Sequence, residues 1–149
     1  MTHARLLGEV SPERPGPGPL PPELRQVLSL DELRALQAAV FDVYVDPALI
    51  SYAVELATAT RQANEYVSFG ASPRGPISLT QAARALALMR GRDYVTVDEV
   101  QTLAKDALRH RLVLSYQALA EGVDADTILD KVLATVPVPE VRLTRPTPA

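Results

Sequence analysis

The sequence predicts an all-α protein, a bundle of about five helices with one or two short extended segments. Three observations lead there. Between residues 23 and 139 apolar residues recur mostly at three- and four-residue spacing, the period of one helix face. Helix-start signals stand before most of these runs, in Ser29-Leu30-Asp31-Glu32, Asp46-Pro47, Thr96-Val97-Asp98-Glu99 and Asp124. The connections between the runs are short, as in a helical bundle.

In chain order, Met1–Pro22 reads as a tail or linker. Its proline-rich run Ser11–Pro22 removes backbone donors and restricts each preceding residue, so it can hold neither a helix nor a central strand. Residues 140–149, broken by Pro146 and Pro148, are expected to form a second tail, which leaves 23–139 as the folded domain. The first helix starts at a capping box, Ser29 capping and Glu32 reaching back, and continues through Leu30, Leu33, Leu36 and Val40. Phe41–Val45 looks extended, with Val43 and Val45 on one face. Asp46 then caps a second helix with Pro47 in its first position; Leu49, Ile50, Ala53, Val54, Leu56 and Ala57 give it an apolar side that fades by Arg61.

The third helix, Ile77–Arg90, is apolar on most sides, only Gln81 and Arg84 giving it a polar edge, and is expected to be the central, most buried one. Gly91 ends it, and Arg90 and Arg92 lie where the negative end of the helix dipole favours cations. Thr96 and Glu99 form a second capping box ahead of the stripe Val97, Val100, Leu103, Ala104, Ala107 and Leu108. Leu112-Val113-Leu114 is short and apolar, a candidate to pair with Tyr94-Val95 as a small ribbon. A last helix runs from an Asp124 cap through Ile128, Leu129, Val132 and Leu133.

With 149 residues, 47% of them hydrophobic, the chain can bury one real core. It contains no cysteine, which excludes disulfides and thiolate metal sites. Charges interrupt every apolar run well short of the roughly 20 residues a membrane helix needs, and no signal peptide is evident, so a cytoplasmic protein without membrane insertion is expected. A formal net charge of -3 argues against a general nucleic-acid binder.

One stretch stands apart. Gly70-Ala71-Ser72-Pro73-Arg74-Gly75-Pro76 is a turn that opens the third helix, capped either by Ser72 with Pro73 in the first turn or by Gly75 with Pro76 there. Either way Arg74 lies beside the positive end of a helix dipole, which costs a cation about 0.3–1 kcal/mol unless an anion arrives. Phosphate is the usual anion at such an end. From Tyr66 to Arg92 there is no Asp or Glu, while Arg74, Arg84, Arg90 and Arg92 are all basic. A solvated loop arginine is the plain alternative.

No catalytic constellation assembles elsewhere. His3 lies in the tail, and His110, in Leu108-Arg109-His110-Arg111, has no Glu or His at helical spacing for a metal site. Arg109 and Arg111 read as a solvated or interface charge cluster. No phosphate-cradling Gly-x-x-x-x-Gly-Lys-Ser/Thr loop occurs, so the chain does not hydrolyse a nucleotide by itself.

The strings Val27–Leu33, Gly70–Gly75, Ala82–Ala87, Gly91–Thr96, Leu108–Leu112 and Ala134–Pro139, in this order, together resemble the C-terminal helical lid of MoxR-family AAA+ ATPases over roughly Arg25–Pro139. The resemblance implies a division of labour. An α/β core, absent from this chain, holds ATP and Mg, and the lid closes over the nucleotide. Arg74 matches that family's second-sensor arginine, the residue expected to act on the γ-phosphate, with Gly70, Ser72 and Gly75 around it as nucleotide-binding positions and no metal ligand in the lid. It further implies a chaperone-like hexameric parent, with the AAA+ core and neighbouring subunits as partners and a von Willebrand factor A domain protein as a further one. The alternative reading is a stand-alone helical protein-interaction module, derived from the lid and without nucleotide chemistry.

Overall fold

The computed structural model describes residues 27–62 and 65–141. The tail expected at 1–22 and most of that expected at 140–149 lie outside the described residues. Two compact units divide the chain, residues 1–33 and 34–149. Of the first, Val27–Leu33 is described; the second carries the core. Among the described residues there are six α-helices: α1 (Leu30–Ala39), α2 (Pro47–Ala59), α3 (Arg74–Met89), α4 (Val97–Leu108), α5 (Tyr116–Glu121) and α6 (Ala125–Thr135). Single 3-10 turns follow α1 at Val40–Asp42 and α4 at Arg109–Arg111. The strands β1 (Val67–Phe69) and β2 (Val113–Leu114) pair antiparallel.

Local chemistry starts most of the helices. Ser29 N–H donates to Glu32 Oε2 at 2.7 Å while Glu32 N–H donates to Ser29 Oγ at 3.2 Å, closing the α1 capping box. Asp46 Oδ1 accepts Ala48 N–H at 2.8 Å ahead of Pro47, and Asp124 Oδ1 accepts Thr127 N–H at 2.8 Å at the start of α6. These bonds satisfy first-turn donors that the helix itself cannot.

α3 packs against both α2 and α4, and α6 packs against α4, so α3 is central as its sequence suggests. It is not the most buried helix, however: five of its 16 residues are buried against five of 13 in α2, and its Ile77 and Met89 are exposed. The buried positions of α3 include Leu79, Ala83 and Ala87, one side chain per turn at four-residue spacing. The two small residues leave room for close helix approach, and the larger Leu49, Tyr52 and Leu56 of α2 and Val100 and Leu108 of α4 fill the surrounding core. Tyr52 is buried with its hydroxyl accepting from Gln101 Nε2 at 3.2 Å.

Besides the Phe41–Val45 segment, whose first two residues form a 3-10 turn with Val40 in place of the expected extended chain, the structure departs from the sequence expectation in four places. The ribbon does not pair Tyr94-Val95 with Leu112–Leu114. Tyr94 instead bridges Tyr44 in parallel, with Tyr44 N–H donating to Asp93 O at 2.8 Å and Val95 N–H to Tyr44 O at 2.9 Å. That leaves Val113-Leu114 to pair with Val67–Phe69. Secondly, α3 begins three residues before Ile77, at Arg74. Thirdly, α1 contributes no buried residue, and Leu30, Leu33 and Leu36 are all exposed. Lastly, the short α5 raises the helix number above five; Ser115 Oγ caps it by accepting Ala118 N–H at 3.2 Å, and Gly122 ends it in a left-handed conformation at φ 70°.

Candidate functional site

The loop that delivers Arg74 to the start of α3 is held from the end of α2. Buried Thr60 donates its hydroxyl to Ala57 O at 2.6 Å and accepts Ala71 N–H at 2.8 Å. Arg61 Nε donates to Ala71 O at 2.7 Å. Both backbone groups of Ala71 are therefore fixed by neighbouring side chains of one helix end. Gly70 lies so close to this end that a Cβ on it would stand 2.5 Å from Thr60 O; only glycine allows that approach.

The turn that follows differs from both expected caps. Pro73 occupies the residue before the helix, at φ -56° and ψ -17°, with no side-chain cap, and Gly75 N–H donates to Ser72 O at 2.8 Å. The Ser72 carbonyl rather than its hydroxyl does the bonding, and Gly75 lies inside the first turn instead of capping it. Pro73 and Pro76 carry no N–H, and that of Gly75 is taken. Few backbone donors face outward here, so the anion-attracting capacity of this end rests on the Arg74 side chain together with the dipole. Gly75 is buried because α4 crosses there: a Cβ would meet Leu108 Cδ2 at 2.9 Å.

The Arg74 side chain is exposed and, among the described residues, makes no hydrogen bond or ion pair. Ser72 and Pro73 beside it are exposed, while Gly70 is half-buried. Arg111, expected as part of a surface charge cluster, reinforces the site from the far side of Gly75. Its Nη2 donates to Ser78 Oγ and its Nε to Ala107 O, both at 2.9 Å. Arg109 faces elsewhere, onto Asp106 at 3.1 Å and Asp126 at 3.2 Å. His110 is exposed. Nothing in the residue types at 60, 61 and 111 announces these supporting roles, because each depends on a partner brought in by the fold.

The other end of α3 is closed by charge. Arg90 Nη1 reaches Glu99 Oε1 at 2.6 Å and also contacts Asp98, and Arg92 Nη2 contacts the same Glu99 oxygen. Glu99 Oε2 accepts from Thr96 N at 2.9 Å and Thr96 Oγ1 at 2.6 Å, completing the second capping box. Burial opposes the charge of Glu99, yet the Thr96 hydrogen bonds and the two guanidinium groups outweigh it and hold the carboxyl below its ordinary range. Arg90 and Arg92 are thus neutralised, whereas Arg74 and Arg84, in the same acid-free stretch, have no ionic partner among the described residues.

The comparisons agree with this architecture. The AAA lid domain family matches residues 46–132. The chain is 42% identical over 132 residues to Chaperone MoxR1 of Mycobacterium tuberculosis, covering 83% of this chain and 35% of the relative. It is 36% identical over 110 residues to Protein MoxR of Paracoccus denitrificans, covering 70% and 31% respectively. A crystal structure of a candidate ATPase from Cytophaga hutchinsonii superposes with a TM-score of 0.74 at 31% identity, covering 78% of this chain and 38% of that one. The chain spans about a third of the length of the curated relatives it matches. On these matches the chain belongs to the AAA lid domain family, as a lid of the MoxR type.

Proposed function

We propose that this lid closes over ATP bound on an AAA+ core and supplies Arg74 to the γ-phosphate as a second-sensor arginine. The observation that carries the reading is the state of Arg74 itself: an exposed guanidinium at the start of a central helix, with no carboxylate partner among the described residues, directly after a loop fixed by Thr60 and Arg61. A triphosphate fits a cation so placed, and ATP and Mg would both be held by the core. Arg74 would add positive charge where negative charge develops during transfer of the γ-phosphoryl group. Gly70, Ser72 and Gly75 would act by shaping the turn that aims it. Because α3 runs from Arg74 into the middle of the bundle, a pull at Arg74 would move the lid as one body, and loss of that contact after hydrolysis would release it.

The parent protein would be a cytoplasmic, chaperone-like hexamer in which neighbouring subunits complete the assembly and a von Willebrand factor A domain protein is a partner. The test is Arg74→Ala, placed in a MoxR-type protein that carries both core and lid. Turnover is expected to fall on the order of 10²-fold, the usual cost of removing one preorganised charge donor, with the fold and ATP-independent melting unchanged. Unaltered turnover would remove the sensor role from Arg74.

A further inference from the structure

The first turn of α3 is weakly made. Pro73 before it provides no side-chain cap, and Arg74-Gly75-Pro76 sets a permissive residue beside one that donates no hydrogen bond. An uncapped helix end of this composition frays when left to itself. Thr60 and Arg61 hold the loop only as far as Ala71, three residues short of Arg74. What holds the helix start comes from the other side, from Arg111 in the 3-10 turn after α4.

Arg111 touches three places at once. Its Nε donates to Ala107 O and its Nη2 to Ser78 Oγ, both at 2.9 Å. Its Cδ lies 3.7 Å from the point where a Gly75 Cβ would stand, so its aliphatic stem covers the bare Gly75 backbone. A guanidinium, unlike an ammonium, presents two donors at fixed spacing and can bridge α3 and α4 in this way. Neighbouring Arg109 takes the carboxylates of Asp106 and Asp126, whereas Arg111 bonds to neutral acceptors and has no ion pair among the described residues. Its part is therefore geometric. Ser78 stands four residues beyond Arg74, one turn further on the same face of α3. Tying Ser78 to the end of α4 thus fixes the direction in which the Arg74 side chain leaves the helix.

We infer that Arg111 is a positioning residue for Arg74: it replaces the missing cap of α3, keeping the first turn wound and the Arg74 guanidinium aimed. The inference rests on the proposed sensor role and adds the residue that makes an uncapped helix start rigid enough to serve it. Leu79, Ala83 and Ala87 hold the remainder of α3 in the core. Loss of Arg111 should therefore loosen the first turn and leave the bundle folded.

The test compares Arg111→Met, which keeps the stem and removes the fork, with Ser78→Ala, each alone and combined with Arg74→Ala, in a MoxR-type protein that carries both core and lid. Arg111→Met is expected to lower kcat about ten-fold and to leave the KM for ATP within about two-fold. Ser78→Ala removes one acceptor only and should lower kcat about three-fold; it carries the same cycle if Arg111→Met does not fold. With Arg74→Ala present, either change should cost less than about two-fold more, because a residue that acts through Arg74 has nothing left to aim. In the chain described above, amide exchange at Gly75 and Ile77 should accelerate about ten-fold in Arg111→Met while that at Ala83 and Ala87 stays slow. Unchanged kcat in Arg111→Met, a loss that multiplies in full with that of Arg74→Ala, or unaltered exchange at Gly75 would overturn the inference and leave the sensor reading standing. Unaltered turnover in Arg74→Ala alone would overturn both.

Discussion

Glu99, with no exposed surface, holds Arg90 at 2.6 Å and contacts Arg92 through one carboxylate oxygen while its other oxygen closes the capping box on Thr96. One side chain thus starts α4 and ties it to the end of α3. Replacing it by glutamine keeps much of the shape and removes the charge that both guanidinium groups face. Removing one partner of a fully buried pair costs about 3–5 kcal/mol. Here the arginine side chains are 36% and 32% exposed, so Glu99→Gln should cost less, about 2–3 kcal/mol. Calorimetry should show a Tm lower by about 10 °C.

The same carboxylate sets an acid limit. Its folded-state titration lies below the ordinary glutamate value, so its contribution is fully present above that ordinary value and is lost as pH falls through the depressed one. Urea midpoints should therefore be steady from pH 7 to about pH 5 and decline below about 4.5. The gap between the parent chain and Glu99→Gln should narrow over that decline; a gap that stays constant down to pH 3 would count against Glu99 as its source.

Two glycines of the Arg74 loop should respond unequally to alanine. At Gly70 the new methyl would press on the Thr60 carbonyl, 2.5 Å away, and backbone on both sides must move. A loss of about 2–3 kcal/mol is expected. At Gly75 the obstacle is the far end of Leu108, 2.9 Å away, which can rotate, and helix propensity returns about 0.5–1 kcal/mol. Urea denaturation should place Gly75→Ala within about 1 kcal/mol of the parent chain. Comparable losses at the two positions would refute this account.

Thr60→Val should loosen the same loop without changing its volume much. The variant leaves buried Ala71 N–H, now bonded at 2.8 Å, without an acceptor, at a cost of about 1–3 kcal/mol. Thr60→Ser should retain most of the stability. Amide hydrogen exchange at Ala71 should accelerate in the valine variant and remain slow in the serine variant.

What the sequence discloses about this protein is local. The caps at Ser29, Asp46, Thr96 and Asp124 involve partners two or three residues away, and each marks its helix correctly. Arg74 at the opening of α3 is legible for the same reason. The strand Val67–Phe69 carries too few residues for a readable alternation, and its partner lies more than forty positions on, so the choice between Tyr94 and Val67 as the mate of Val113 cannot be made from pattern. Arg90 and Arg92 do lie at a helix end, as their placement suggests, but that Glu99 serves both of them depends on the angle between α3 and α4. The exposed leucines of α1 show the opposite limit: helical spacing of apolar residues specifies a stripe and leaves open what the stripe meets.

The bridge from Tyr44 to Tyr94 bears on how the protein assembles. Its two hydrogen bonds, like those between β1 and β2, join segments that stay far apart along the chain until large loops have closed. Loop closure must precede the reward of such contacts, and folding rates fall as contacts become less local. The α3–α4 hairpin, joined through a short turn and clasped by Glu99, is the piece able to nucleate early. α2 joins that hairpin through the hydrogen bonds of Tyr44 to Asp93 and Val95, and carries Thr60 and Arg61 with it. A chain in which the α3–α4 hairpin had formed without α2 docked would therefore lack the Thr60 and Arg61 bonds that hold the loop ahead of Arg74.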